Sequence, residues 1–319
     1  MFSQPFRERL GFGGAYVPGS FSCAQLEAGV FDPHHDDLSA TPLHVSRQSF
    51  NLGFKVEARV APGKMLFGLL DSRAQARWFG SPVGQYAIAA TRDAIDLSTK
   101  GSASFYSVVI DGSALHRDGM VSPDVITLLE NLPDVGLANA PLHVTPLRES
   151  IRRLFSLVRH RHGALLPRGL PLAVVGGTLV PLLADTVGGF RSNAVEPSRS
   201  LTRRVRAVRT CEGYMREHVD ATVTLLDLST ACGVRSRSLI NAFQAVTGFT
   251  PMEYLKRLRL NGVRDSLRRS ENARTRIIDV ATAWGFWHMG HFAADYRGLF
   301  GESPSQTLLK VRRRHGAVA

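Results

Sequence analysis

The chain has 319 residues, 44% of them hydrophobic, enough for two domains of ordinary size with separate packed cores. Cys23, Cys211 and Cys232 are scattered and form no Cys-x-x-Cys pair, which argues against a zinc ribbon or a disulfide framework. The net charge of +12 calls for a polyanionic partner or surface, and where that charge lies decides which.

The opening MFSQPFRERL lacks the apolar core of a signal peptide, so a cytoplasmic protein is expected. His34, His35, Asp36 and Asp37 follow as a polar group, read as a solvated loop and not as a metal site. From about Ser46 to Val109 the chain reads as short strands broken by Gly, Pro and Ser. They are FNLGFKVEARV (50–60), KMLFGLL (64–70), ARWFG (76–80), QYAIAA (85–90) and SFYSVVI (104–110). This alternation predicts a small, cupin-like antiparallel β-barrel over residues 1–143. Metal-dependent cupin enzymes place His-x-His and further ligands inside the barrel. These strands offer no such cluster, so no catalytic residue, metal or cofactor is assigned.

Trp78, Phe79 and Tyr86 are candidates for lining a ligand cavity in that barrel, with ordinary core as the competing reading. Of the three, Trp78 and Phe79 are retained as effector contacts. Arg47, Lys55 and Arg77 are basic residues that could hold an acidic effector, although the sequence places none of them inside. A helical hairpin is expected over 144–187. Ile151, Leu154, Phe155 and Val158 form one apolar face, and Leu172, Val175, Leu179 and Leu182 another. These faces serve either dimerisation or packing on the barrel. The uncharged run 170–184 is shorter than the roughly 20 residues a membrane-spanning helix needs, so no membrane anchor is read. GGFRSNAVEPSRS (188–200) has the composition of a linker.

The last 119 residues, 201–319, contain a repeat. Ser229 and Gly233 recur 52 residues later as Ala281 and Gly285. Leu239, Phe243, Gly248 and Pro251 recur 53 residues later as Phe292, Tyr296, Gly301 and Pro304, so the second copy has one extra residue in its turn. A small residue, a glycine four later and an apolar i,i+4 pair on a new helix match the packing pattern of a helix-turn-helix. The glycines suit a left-handed helix end, and the prolines suit the first turn of the next helix. Arg237, Ser238 and Asn241 are left on the outer face of the first unit's second helix. Residues 201–319 hold 20 Lys+Arg against 10 Asp+Glu, so nearly all of the +12 lies in the repeat region. A basic surface on paired helix-turn-helix units indicates double-stranded DNA.

The segment from about Leu201 to Val311 resembles the DNA-binding domain of the AraC/XylS family of bacterial transcription regulators. RIIDVATAWGFWHMGHFAADYRGLFGESPS (276–305) carries the resemblance most strongly, with LLDLSTACGVRSRSLINAFQAVTGFTPMEYLKRLRL (225–260) beside it. The resemblance implies two helix-turn-helix subdomains joined by a long helix, here about 251–269. At 1.5 Å per residue that helix would span roughly 28 Å, close to the distance of about 34 Å between successive major grooves on one face of DNA. The overall class is then α+β, with an all-α domain at 201–319.

The resemblance implies that Arg237 and Asn241 read bases, and their chemistry agrees. Arg can bridge guanine O6 and N7, and Asn can pair with adenine N6 and N7. A phosphate contact is the alternative for Arg237. Ser236 and Ser238 complete this helix start. Arg235 stands where family members commonly have a capping Ser. In the second unit the family pattern GF-x-H-x-G-x-FA is present, but His291 and Ala294 replace an Arg and a carboxylate. His291 can still donate to guanine, and His288 and Arg297 can hold phosphates. Asp295 is unplaced by sequence.

The resemblance further implies a small-molecule effector in the N-terminal domain, RNA polymerase as a partner, a homodimer, and activation as the usual outcome. APGKMLFGLLDSRAQARWFGSPVGQYAIA is similar to the sensor of ethanolamine-operon activators, and no ligand is carried across from it. The regulators that repair DNA through a zinc-bound Cys cluster share this DNA-binding domain, and the three scattered cysteines argue against them. The alternatives are a barrel that binds a partner protein, a cupin-like enzyme fused to a DNA reader, and a general nucleic-acid-compacting protein.

Overall fold

Alternating apolar residues draw the first half of the chain into strands. The computed structural model describes residues 21–40, 43–71, 74–113, 123–130, 135–159, 179–192, 199–270 and 274–316. Its strands are β1 (Phe21–Gln25), β2 (His34–Ala40), β3 (Leu43–Phe50), β4 (Phe54–Arg59), β5 (Lys64–Leu70) and β6 (Gln75–Trp78). They continue as β7 (Ser81–Val83), β8 (Ala87–Thr91), β9 (Ala94–Lys100), β10 (Ala103–Asp111) and β11 (Val135–Asn139). All pair antiparallel, in a five-stranded sheet β1-β4-β9-β6-β7 and a six-stranded sheet β11-β8-β5-β10-β3-β2.

The expected strands are therefore antiparallel, but they form two open sheets where a closed barrel was expected. The chain crosses from one sheet to the other at Asn51–Gly53. FNLGFKVEARV does not run as one strand: β3 ends at Phe50 in one sheet and β4 begins at Phe54 in the other. A Cβ on Gly53 would stand 2.8 Å from Glu27 Cδ and 2.9 Å from the Thr99 carbonyl oxygen, so the crossing is too tight for a side chain. The segment read as a solvated loop is corrected as well. His34, His35, Asp36 and Asp37 lie in β2, an edge strand paired to β3. Charged residues are common on such edges because they discourage further pairing.

Facing sides of the two sheets bury Phe54, Val56, Trp78 and Ile95 against Phe50, Leu66, Leu70 and Phe105. The other side of the six-stranded sheet is covered too. In β10, Phe105 and Val109 point between the sheets, while Tyr106, Val108 and Ile110 point at helices. These helices follow α1 (Pro123–Glu130) and are α2 (Pro141–Arg159) and α3 (Val180–Ser192). Ile151, Leu154 and Phe155 of α2 and the neighbouring Leu179 are buried against the sheet, with Leu182 partly buried there. The described part of these apolar faces packs on the domain's own sheet. Leu172 and Val175 lie outside the described residues. At 188–200 the expected linker is helical at both ends, because α3 runs to Ser192 and α4 starts at Arg199.

The second half is helical: α4 (Arg199–Glu217), α5 (Leu225–Cys232), α6 (Ser236–Thr247), α7 (Pro251–Arg268), α8 (Ile277–Ala283), α9 (Met289–Phe300) and α10 (Pro304–Gly316). Thr224 and Thr250 open α5 and α7 with reciprocal capping boxes to Asp227 and Glu253. Helix α7 runs through two cores. Its Tyr254 and Leu255 pack with Leu228, Leu239 and Phe243, and its Leu260, Val263 and Leu267 with Ala281, Phe292 and Tyr296. Cys211 is buried and its thiol donates to the Leu228 carbonyl at 3.4 Å, Cys23 is buried on β1, and Cys232 is half-buried. No described helix is long and apolar enough to cross a membrane.

The two halves dock through β1 and β4. Leu26 enters the core of the first helix-turn-helix unit beside Val208, Cys211 and Met215. Lys55 Nζ lies 2.5 Å from Glu212 and 3.0 Å from Glu57, Arg216 pairs with Glu57, and Arg209 meets Asp96 at 3.0 Å.

Candidate nucleic-acid interface

Each unit presents one helix whose inner face is locked and whose outer face is free. In α6, Leu239, Ala242, Phe243 and Val246 are buried, while Arg237, Ser238 and Asn241 are exposed. Arg237 and Asn241 are four residues apart and so lie one above the other on the helix surface. Gly233 at φ 64° turns the chain from α5, and Gly248 at φ 82° ends α6. Arg235 is the N-cap of α6, exposed and without a side-chain capping bond, as its replacement of Ser implies. Ser236 is half-buried, with its hydroxyl 3.3 Å from Ser229 Oγ, so it ties the two helices together.

The second unit repeats the arrangement with fewer polar groups. Phe292, Tyr296, Leu299 and Phe300 anchor α9, leaving His291, Ala294 and Arg297 exposed. Helix α9 begins four residues after Gly285, whereas α6 begins three after Gly233, which accounts for the extra residue in the repeat. His288 is the exposed N-cap, its ring centroid 6.0 Å from that of His291. Asp295 is turned to α7, where both of its carboxylate oxygens accept from Lys256 Nζ, at 3.1 and 3.2 Å. Its charge is thereby neutralised within the protein. Trp287, 64% exposed in the turn before α9, is a candidate contact that the motif comparison passed over. Its signal was an aromatic residue in a turn with no core to fill.

Joining the units, the 18 residues of α7 span about 27 Å, slightly less than the sequence suggests. That length remains close to the spacing of about 34 Å between major grooves on one side of a duplex.

The N-terminal candidates separate. Trp78 lines an apolar cavity of about 40 Å³ between the sheets, with Phe54, Leu66, Leu70 and Phe105. Its indole Nε1 is buried without a hydrogen-bond partner. Phe79 instead lies under the Arg209 guanidinium, 4.7 Å from its ring centroid, beside the domain junction. Tyr86 is exposed and sits against Arg148, so it does not line that cavity. Arg47 faces Asp71 at 3.7 Å, Arg77 donates to the Gly80 carbonyl, and Lys55 is held in the interdomain ion network. Among the described residues no three His, Cys, Asp or Glu side chains are grouped to hold a metal.

A family model described as a helix-turn-helix domain matches residues 228–310. The probable thc operon regulatory protein of Rhodococcus erythropolis is 29% identical over 76% of this chain. XylDLEGF operon transcriptional activator 2 of Pseudomonas putida is 38% identical over 30% of it. The chain covers 66% and 60% of the lengths of these relatives, less than two thirds of either. A solved structure of a probable AraC family transcriptional regulator from Rhodopseudomonas palustris is 37% identical, covering 33% of this chain and 96% of that one, with a TM-score of 0.31.

Proposed function

We propose that the chain, which by its C-terminal domain belongs to the AraC/XylS family of regulators, is a sequence-specific DNA-binding transcription regulator. It acts in the cytoplasm as an activator, with RNA polymerase as its partner at the promoter, and it is not an enzyme. The observation that supports this reading is the pair Arg237 and Asn241, exposed one turn apart on an anchored helix, with side chains whose chemistry suits base edges. In the second unit, His291 reads a base while His288 and Arg297 hold phosphates. Ala294 contributes only an apolar contact.

The N-terminal domain, two facing antiparallel sheets, takes a small-molecule effector. Trp78 supports this assignment, since its indole N–H is a buried donor that a ligand acceptor would satisfy. The cavity beside it, about 40 Å³, is far below the roughly 300 Å³ of ordinary ligand pockets, so binding there must part the sheets. A homodimer, where formed, uses surfaces other than the sheet-covered faces of α2 and α3.

Gel shifts at fixed salt test the DNA reading. Arg237→Ala is expected to weaken binding to the best site by about 1–3 kcal/mol while leaving unrelated duplexes little changed. An equal loss on both would reduce Arg237 to a phosphate contact.

A further inference from the structure

The turns that lead into α6 and α9 differ by one residue, and their hydrogen bonds identify the extra one. Val234 and Phe286 are equivalent, each directly after its turn glycine. Val234 N–H donates to the Ser229 carbonyl at 3.1 Å, and Phe286 N–H to the Ala281 carbonyl at 3.0 Å. Both side chains pack against the core of their own unit. The N-caps Arg235 and His288 are equivalent as well. Between Phe286 and His288 the second unit therefore inserts Trp287, which has no counterpart in the first.

The core has no use for the inserted ring. An apolar residue just before an N-cap ordinarily packs on the fourth residue of the helix, here Phe292. Phe286 fills that role, its ring centroid 5.0 Å from that of Phe292. Trp287 is left 64% exposed, directly before the start of α9. The first residues of a recognition helix are those that meet base edges in the major groove. Exposed His288, His291 and Arg297 share this helix, while the charge of Asp295 is held by Lys256, so the surface around the indole favours a polyanion.

Helix α9 itself offers little to a base, because its exposed positions include Gly290 and Ala294. The indole of Trp287 is the largest group at its entrance. It has a broad apolar face, one N–H donor and no charge. Among major-groove base edges, the apolar feature is the 5-methyl group of thymine.

We propose that Trp287 is a specificity-determining residue, its indole lying against the methyl group of a thymine in the half-site under α9. This rests on the regulator reading and gives a base preference to the unit with fewer polar side chains.

Uracil scanning tests it. The duplex most enriched by the full chain from a random pool is rebuilt with each thymine of that half-site replaced in turn by uracil, which lacks only the methyl group. At fixed salt, one replacement should weaken binding by about fourfold, the worth of one methyl group withdrawn from water. In Trp287→Ala the same replacement should have no effect, with the thermal midpoint kept because the side chain is mostly exposed. Trp78 is buried, and Trp284 is half-buried and bonded to Ser266. Indole emission should therefore shift on binding the duplex, and the shift should vanish in Trp287→Ala. A uracil effect as large in Trp287→Ala as in wild type, or none at any thymine, would overturn the proposal and leave the regulator reading standing. Loss of promoter activation by Trp287→Ala at unchanged DNA affinity would overturn it too, and would give the indole to a protein partner. A pool from which no duplex is enriched would end both readings.

Discussion

Asn261 on α7 hydrogen-bonds both backbone groups of Gln25 on β1, accepting from its N–H and donating to its carbonyl oxygen, each at 2.9 Å. The amide side chain thus stands where a further strand would pair with this sheet edge. The Gln25 side chain extends the link. Its Nε2 donates to the Leu299 carbonyl at 2.8 Å, and its Oε1 accepts from Arg264 at 2.9 Å. With Leu26 in the first core and Gly29 N–H bonded to the Leu299 carbonyl, residues 25–29 hold both helix-turn-helix units against the N-terminal sheet.

Asn261→Ala removes this clasp and leaves the buried Gln25 amide and carbonyl unpaired. An unsatisfied buried polar group costs about 1–3 kcal/mol, so domain docking should loosen by that order. Hydrogen exchange at β1 amides reads it directly. Protection unchanged from wild type would show that the clasp contributes nothing to docking.

The ion network makes docking pH-dependent in a definite sense. Burial raises Glu57, yet Lys55 and Arg216 prevail and hold it below its ordinary value of 4.5. A carboxylate depressed in the folded state contributes stability above its unfolded value and loses it as pH falls through the folded one. Acid should therefore open the domain junction below about pH 4.5, and Glu57→Gln should remove that response. A junction equally sensitive to acid in Glu57→Gln would contradict this.

Asp265 has the opposite sign. Its folded value of about 7 exceeds its ordinary 3.8, so the folded chain binds the proton more tightly than the unfolded chain. The stability contributed by its neutral form is complete below pH 3.8 and declines as pH rises to about 7. Asp265→Asn should raise the thermal midpoint at pH 8 and change it little near pH 4. Equal gains at both values would place the effect elsewhere.

Gly262 is where α7 admits Trp284. A Cβ there would stand 2.2 Å from Trp284 Cζ3, closer than atoms can pack. Gly262→Ala should cost about 1–3 kcal/mol by forcing the ring away, despite the better helix propensity of alanine. The turn leading to α9 moves with that ring, so DNA binding by the second unit should weaken in parallel. A neutral or stabilising Gly262→Ala, measured by denaturant unfolding, would show that the indole relocates freely.

Arg235 leaves α6 without a side-chain cap. Arg235→Ser should add about 1 kcal/mol to stability through a new cap. It also deletes a cation near DNA, so affinity should fall on every duplex and the salt slope should drop by about 1. A loss confined to the best site would instead make Arg235 a base contact.

The helix-turn-helix units were legible because their constraints are local. Gly233, Gly248, Gly285 and Gly301 all take positive φ, and Pro251 and Pro304 open α7 and α10 as read. The strands over 64–70, 76–78, 87–90 and 104–110 followed from alternation. Polar β2 was missed because His34 to Asp37 carry no apolar period, and the crossing at Asn51–Gly53 was missed because a single apolar run spans it. The clasp between Gln25 and Asn261 joins residues 236 positions apart, and such a contact leaves no local pattern. Asp265 looked like an ordinary helix charge, and only its raised pKa, from burial at the domain junction, sets it apart.

Selection of bound sequences from a random duplex pool by the full chain, at fixed salt, tests the central claim most directly. The account predicts an enriched motif of two half-sites about one helical turn, 10–10.5 base pairs, apart. The half-site under Arg237 and Asn241 should be the more sharply specified, because α9 offers fewer side chains to bases. A pool that remains random after several rounds, with every duplex bound alike, would mean that both helices hold only phosphates and that the chain does not read sequence.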